Sequence, residues 1–171
     1  MLYNIVGYGS LISHKSLKET IKDKKFTPVI VKGYKRIFNL KIENDTDPDM
    51  LNVMKHPGST FNGVLFKVNE KELDQIKERE SEYNLEKTKC YDFKTKKYID
   101  KCFVVADYNV SLDKKGFLPD KSYFILCREA AYMISEEFGK YWDNSTFTAK
   151  NQKISEWILK NPKYSILKNK T

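Results

Sequence analysis

Cysteine is scarce in this 171-residue chain: Cys90, Cys102 and Cys127 are the full set. An odd count with no C-x-x-C spacing excludes a disulfide framework and a zinc site read from sequence. The two histidines, His14 and His56, have no second ligand at metal-binding spacing, so no metal is expected. Arginine is rarer than the net charge of +8 suggests. Of 31 cationic side chains only Arg36, Arg79 and Arg128 are arginine, which leaves 28 lysines. Readers of base edges and phosphates rely on arginine forks. A lysine-dominated balance therefore reads as a solubility surface, and no nucleic-acid partner is expected. No apolar run reaches the ~18 residues of a membrane span. The first seven residues lack a basic region and a small-residue cleavage site, so a reducing, cytoplasmic setting is expected. Repeats, low-complexity stretches and linkers are also lacking. A chain this long can bury about 70% of its unfolded surface without staples. One domain over 1–171 is expected, with a Lys-rich tail at 163–171.

What is present falls into strands first and helices last. Residues 2–6 read as a buried strand ending at Gly7 and Gly9, and Ser13 as the cap of a helix to about 23. Strands are expected at 28–32 and 36–42, with Gly33 between them as punctuation. A polar loop covers 44–49, a turn 55–59, and a strongly apolar strand 63–68. Two more strands are expected at 85–94 and 101–108. A helix over 120–138 follows, with Tyr123, Leu126, Cys127, Ala130 and Ile134 as its stripe and Gly139 as its terminator. A last helix is expected at 151–159. This order indicates an α+β domain rather than a βαβ ladder.

Two segments carry possible chemistry. Asn69 opens a helix with Glu72 three residues on, a capping-box spacing. At ~100° per residue, Glu80 falls between Leu73 and Ile76 on the apolar stripe, whereas Glu78 and Glu82 fall on the opposite side. A carboxylate so placed would carry a raised pKa and could shuttle protons, unless the helix has already ended or a lysine pairs with it. The second segment is Gly7-Tyr8-Gly9-Ser10-Leu11, directly after the first strand. Its glycines let a ligand approach the main chain, and turn amides can hold an anion. It is neither a P-loop nor a dinucleotide loop, since Ile12 stands where a third glycine would fall.

Together with Gly33-Tyr34-Lys35-Arg36-Ile37-Phe38, the strand beginning Asn62-Gly63, Arg79-Glu80-Ser81-Glu82-Tyr83 and Pro119-Asp120-Lys121-Ser122-Tyr123, these segments resemble the gamma-glutamylcyclotransferase family. The resemblance implies a small mixed β-barrel with flanking helices. It implies cleavage of a gamma-glutamyl amide by internal cyclisation, giving 5-oxoproline and a free amine, in the acyltransferase or lyase manner tied to glutathione metabolism. No cofactor and no metal take part. By the same resemblance Glu80 is the general acid/base, with Glu82 its rival. Tyr8, Gly9, Ser10 and Leu11 hold the glutamyl moiety, and Tyr83 and Tyr123 line the pocket. Read from its strand alone, Arg36 is either a buried counter-ion for Glu80 or simply exposed. The partner implied is a small gamma-glutamyl molecule. The leaving amine and the oligomeric state stay open, and the chain lacks the His-Arg-Gly-Thr segment associated with the glutathione-specific branch. Two other readings remain: a gamma-glutamylamine cyclotransferase, or a non-catalytic member that binds a small anion or a protein.

Overall fold

Alternating apolar positions build the sheet of this computed structural model, which describes residues 1–22, 24–41, 48–79, 84–106, 116 and 118–165. The strands are β1 (Tyr3–Gly7), β2 (Thr27–Leu40), β3 (Met50–Val68), β4 (Asn84–Asp92), β5 (Tyr98–Ala106) and β6 (Thr146–Thr148). β1 pairs with β3 and β5, β5 with β4, β4 with β2, and β2 again with β3. The pairings of these five strands therefore close on themselves, and β6 lies beside the second half of β2. Closure leaves one apolar interior, filled by Val6, Val29, Val31, Phe61, Cys90, Cys102 and Val104, all fully buried, while Ile5 and Phe66, also buried, face the other side of the sheet. β1–β5 and β2–β6 are parallel and the other pairings antiparallel, so the sheet is mixed. The α+β class with flanking helices is as expected.

β2 and β3 are longer than the expected strands. Residues 28–32 and 36–40 belong to one strand, and the supposed turn at 55–59 lies inside β3. The turn signal was sound locally, for Gly33 and Gly58 both hold positive φ, 87° and 86°. Both are used in a wide bulge: Lys32 faces Thr60 and Tyr34 faces Lys55, so residues 56–59 oppose Gly33 alone.

The helices are α1 (His14–Lys18), α2 (Glu70–Arg79), α3 (Lys121–Ile134), α4 (Glu136–Ser145) and α5 (Ile154–Trp157). Among the described residues, no helix is long and apolar enough to cross a membrane. The expected helix over 120–138 is two helices. Ser135 is extended (φ −170°), and its hydroxyl accepts the Phe138 N–H at 3.0 Å, capping a new start. Gly139 thus sits inside α4 instead of ending a helix. Its missing side chain admits the Tyr132 ring, whose Cγ would lie 2.4 Å from any Cβ there. Arg128 and Asp143 join α3 to α4 through two 2.9 Å bonds, and the Tyr132 hydroxyl donates to Asp143 at 2.7 Å. The buried stripe of α3 is Phe124, Cys127, Arg128, Ala130 and Ala131, whereas Leu126 faces outward. Phe124 packs edge-on against Trp142, Trp157 and Tyr164, which fastens the helical layer to Phe38 of β2. The last expected helix is shorter, α5 followed by a 3-10 turn at Ile158–Lys160.

Candidate active site

A small hollow opens at the end of β1. Tyr8, Gly9, Ser10 and Leu11 line it, together with Leu51 of β3, Val105 of β5 and Tyr123 of α3. Every residue of the expected 8–11 loop and Tyr123 therefore come together, from segments more than 110 positions apart in sequence. Leu51 and Val105 were not singled out from sequence, because inward apolar strand positions carry no mark that separates a pocket wall from the core.

The loop owes its shape to its own turn and to what holds it from behind. Ser10–Ile12 form a 3-10 turn in which Ile12 N–H donates to Gly9 C=O at 3.0 Å and Ser13 N–H to Ser10 C=O at 3.0 Å. Gly9 leaves room for Tyr123: a Cβ there would stand 2.6 Å from the Tyr123 hydroxyl oxygen and push that side chain aside. Tyr8 is buried, with its ring edge-on to Phe61 at 6.0 Å.

Tyr123 is placed by the cap of α3. Asp49 N–H donates to Leu118 C=O and Asp120 N–H to Asp49 C=O, both at 3.0 Å, which ties the start of β3 to the start of α3. The Asp120 carboxylate then accepts the Tyr123 N–H at 2.8 Å, an N-cap bond. Asp49 itself is fully buried and ion-paired with Lys41 at 2.8 Å. Tyr123 thereby sits in the first turn of α3, across from Gly9 and Leu51.

Two arginines organise the region, and sequence alone could not assign them. Arg36 is fully buried on β2. It donates from Nε to the Thr146 hydroxyl at 2.8 Å, from Nη2 to Asn62 Oδ1 at 2.8 Å and Ser145 Oγ at 3.2 Å, and from Nη1 to the carbonyls of Asn62 and Tyr8. Its guanidinium also lies 5.0 Å from the Trp142 ring centre and 5.4 Å from that of Phe61. Burial pulls its pKa down to about 9, still high enough to keep it charged at neutral pH. Arg36 is thus buried, not exposed, and it anchors the Tyr8 carbonyl, whereas its suggested partner Glu80 lies outside the described residues.

Arg79, the last residue of α2, reaches back to α1 and the loop. Nη1 donates to Ser16 C=O at 2.7 Å and to the Thr20 hydroxyl at 2.8 Å. Nη2 donates to Ser16 Oγ at 2.7 Å and Ser10 Oγ at 3.2 Å. α2 is held at its other end by the expected capping box: Asn69 Oδ1 accepts Glu72 N–H and Glu72 Oε2 accepts Asn69 N–H, both at 3.0 Å. Leu73 and Ile76 are buried as its apolar stripe requires. Glu80, Glu82 and Tyr83 lie outside the described residues. Among the described residues, no cluster of three or more His, Cys, Asp and Glu could hold a metal ion.

Comparison with known proteins adds the family. No curated protein matches the chain. Among solved structures, one described as a gamma-glutamyl cyclotransferase aligns at TM-score 0.70 and 18% identity, covering 94% of this chain and 98% of that one. A human protein described as uncharacterized loc79017 aligns equally well, at TM-score 0.70 and 18% identity, with 94% and 97% covered. YkqA from Bacillus subtilis gives 0.65 at 19% identity, covering 81% of this chain and 52% of that one. At such identities these likenesses establish the fold. The family of ChaC-like proteins matches from residue 3 to residue 156, nearly the whole chain, and so this chain belongs to the ChaC-like family.

Proposed function

We propose that the chain is a gamma-glutamyl cyclotransferase that releases 5-oxoproline and a free amine from a gamma-glutamyl amide. The observation that carries this reading is the hollow itself. The loop Tyr8, Gly9, Ser10 and Leu11 meets Tyr123 there, and the residue preceding Glu80 hydrogen-bonds Ser10.

The substrate's α-amine attacks its own γ-carbonyl, so both reacting groups belong to one molecule. Folding the glutamyl chain into the attacking conformation lowers the barrier by roughly 7–11 kcal/mol relative to a bimolecular step. A narrow hollow walled by Leu51, Val105 and Tyr8 suits that task. The amine must lose a proton and the leaving nitrogen must gain one, a transfer that one carboxylate can perform. In this reading Glu80 takes the ammonium proton and returns it to the leaving amine, a role worth about 10²–10⁴-fold. It adjoins Arg79 in the chain, and one peptide unit spans about 3.8 Å between Cα atoms. The N–H groups of the Gly9–Leu11 turn serve as donors to the oxyanion of the tetrahedral intermediate, at ~10²–10³-fold for one such donor. Tyr123 completes the hollow, and in this reading Tyr83 is a further substrate-binding residue. The sum of atoms is conserved: the bond between the γ-carbonyl carbon (Cδ) and the leaving nitrogen breaks as the bond from the α-nitrogen to that same carbon forms, and no cofactor enters.

A panel of gamma-glutamyl dipeptides, glutathione and gamma-glutamyl amines, with 5-oxoproline measured by mass spectrometry, tests the proposal. Release from at least one member supports it and names the leaving-group class. No release from any member, with the protein folded, contradicts it.

A further inference from the structure

Arg79 does more than fasten α2 to α1. Three of its bonds, to Ser16 C=O, Ser16 Oγ and the Thr20 hydroxyl, hold α1 and the turn that follows it. The fourth, from Nη2 to Ser10 Oγ at 3.2 Å, reaches the loop that lines the hollow. A guanidinium is a donor only, and a serine hydroxyl has a single hydrogen. At this contact Ser10 must therefore accept, and its own hydrogen is left to donate in another direction. The cation also draws electron density from the oxygen and makes that O–H a stronger donor.

We infer, on the basis of the gamma-glutamyl reading, that Arg79 is a positioning residue that sets the Ser10 hydroxyl as the donor to the α-carboxylate of the glutamyl moiety. The chemistry favours that group. The α-carboxylate is the one full negative charge on the glutamyl part, it takes no part in bond making, and it survives unchanged in 5-oxoproline. A fixed donor on it orients the neighbouring α-amine without touching the reacting atoms. Arg79 itself has at least four acceptors already, so it acts through Ser10.

The test uses the full-length protein and two readouts: KM and kcat for the best gamma-glutamyl substrate, and the Kd of 5-oxoproline by calorimetry. Ser10→Ala is expected to raise KM and Kd roughly tenfold or more, with kcat changed far less, as befits loss of a hydrogen bond to a charged group. Arg79→Met is expected to raise both to a similar degree, and to add little once Ser10 is already alanine. Arg79→Lys restores charge but not the fork, and recovers only part of the loss. Arg79→Met also frees α1, so its melting temperature is recorded beside it. Ser10→Ala leaves the Ser16 and Thr20 contacts intact and keeps the test open if Arg79→Met unfolds. Pyrrolidin-2-one, which is 5-oxoproline without its carboxylate, should bind wild type and Ser10→Ala alike. Unchanged 5-oxoproline binding in Ser10→Ala, or losses that simply multiply in the double variant, overturns the inference. A folded wild-type protein that neither binds 5-oxoproline nor releases it from any substrate overturns the gamma-glutamyl reading instead, and the inference with it.

Discussion

Replacing Arg36 with methionine should cost more stability than almost any other single change in this molecule. The side chain is fully buried, and its fork satisfies acceptors on β3, β6, α4 and the substrate loop at once. Three of its bonds are short: to Thr146 Oγ1 and Asn62 Oδ1 at 2.8 Å, and to the Asn62 carbonyl. Each orphaned buried acceptor costs about 1–3 kcal/mol, which sets a raw loss of roughly 3–9 kcal/mol. Two effects reduce it. Methionine no longer has to carry a charge into the interior. The Thr146 hydroxyl also keeps the bond it donates to the Trp142 carbonyl at 2.6 Å, so it is not left wholly unpaired. A net loss of about 3–5 kcal/mol follows, a large share of the ~5–15 kcal/mol typical of a domain. Urea unfolding is the assay. At an m-value near 2 kcal/mol/M the midpoint should fall by about 1.5–2.5 M. Arg36→Lys keeps the cation but not the fork, and should recover less than half of the difference. A loss below about 1 kcal/mol in Arg36→Met would refute the claim that this network holds the loop in place. Wild-type stability in Arg36→Lys would mean that charge, not geometry, is what the site needs.

Other outcomes follow from the same contacts. Gly9→Ala sets a methyl 2.6 Å from the Tyr123 hydroxyl oxygen, the movable end of a side chain. It should therefore lower the melting temperature only modestly while weakening 5-oxoproline binding, and Tyr123→Phe in the same chain should recover part of that binding, which calorimetry on the single and double variants checks. Asn69→Ala removes the cap of α2 and should cost about 1 kcal/mol in denaturant unfolding. Burial alone would raise the Glu72 pKa, but the bond from Lys24 at 2.7 Å and the Asn69 N–H outweigh it and hold it below the usual carboxylate value. A carboxylate lowered in the native state stabilises above its unfolded pKa and loses that contribution as pH falls through the native one. Wild type should thus exceed Glu72→Gln in melting temperature at neutral pH and converge with it in acid. All three thiols are buried, and burial pushes that of Cys127 up to about 12. Ellman's reagent should find them inert in the native protein and titrate all three after denaturation.

Local patterns in the chain foretold local structure well. The Asn69–Glu72 capping box, the buried β1 and the bend at Gly7–Gly9 each depend on a few adjacent residues, and each is where periodicity and capping rules put it. Errors arose where distant parts decide. Gly58 marks a positive φ, but only the pairing with β2 makes it a bulge instead of a hairpin turn. Gly139 looked like a helix terminator because its real reason, the Tyr132 ring against its Cα, belongs to another helix. β6 is three residues long, too short for any alternation to register, and exists because it lies alongside β2. The site divides in the same way. The 8–11 loop and Tyr123 stand out through short motifs. The partners of Arg36 and Arg79 lie 26 or more and 59 or more positions away, and no spacing rule reaches that far.

Glu80→Gln, assayed beside wild type and Glu82→Gln, bears most directly on the central claim. With each variant shown to be folded by its melting temperature, 5-oxoproline release from the best gamma-glutamyl substrate should fall by about 10²-fold or more in Glu80→Gln and stay near wild type in Glu82→Gln. Full activity in Glu80→Gln would show that the proton is carried elsewhere, and would contradict the account.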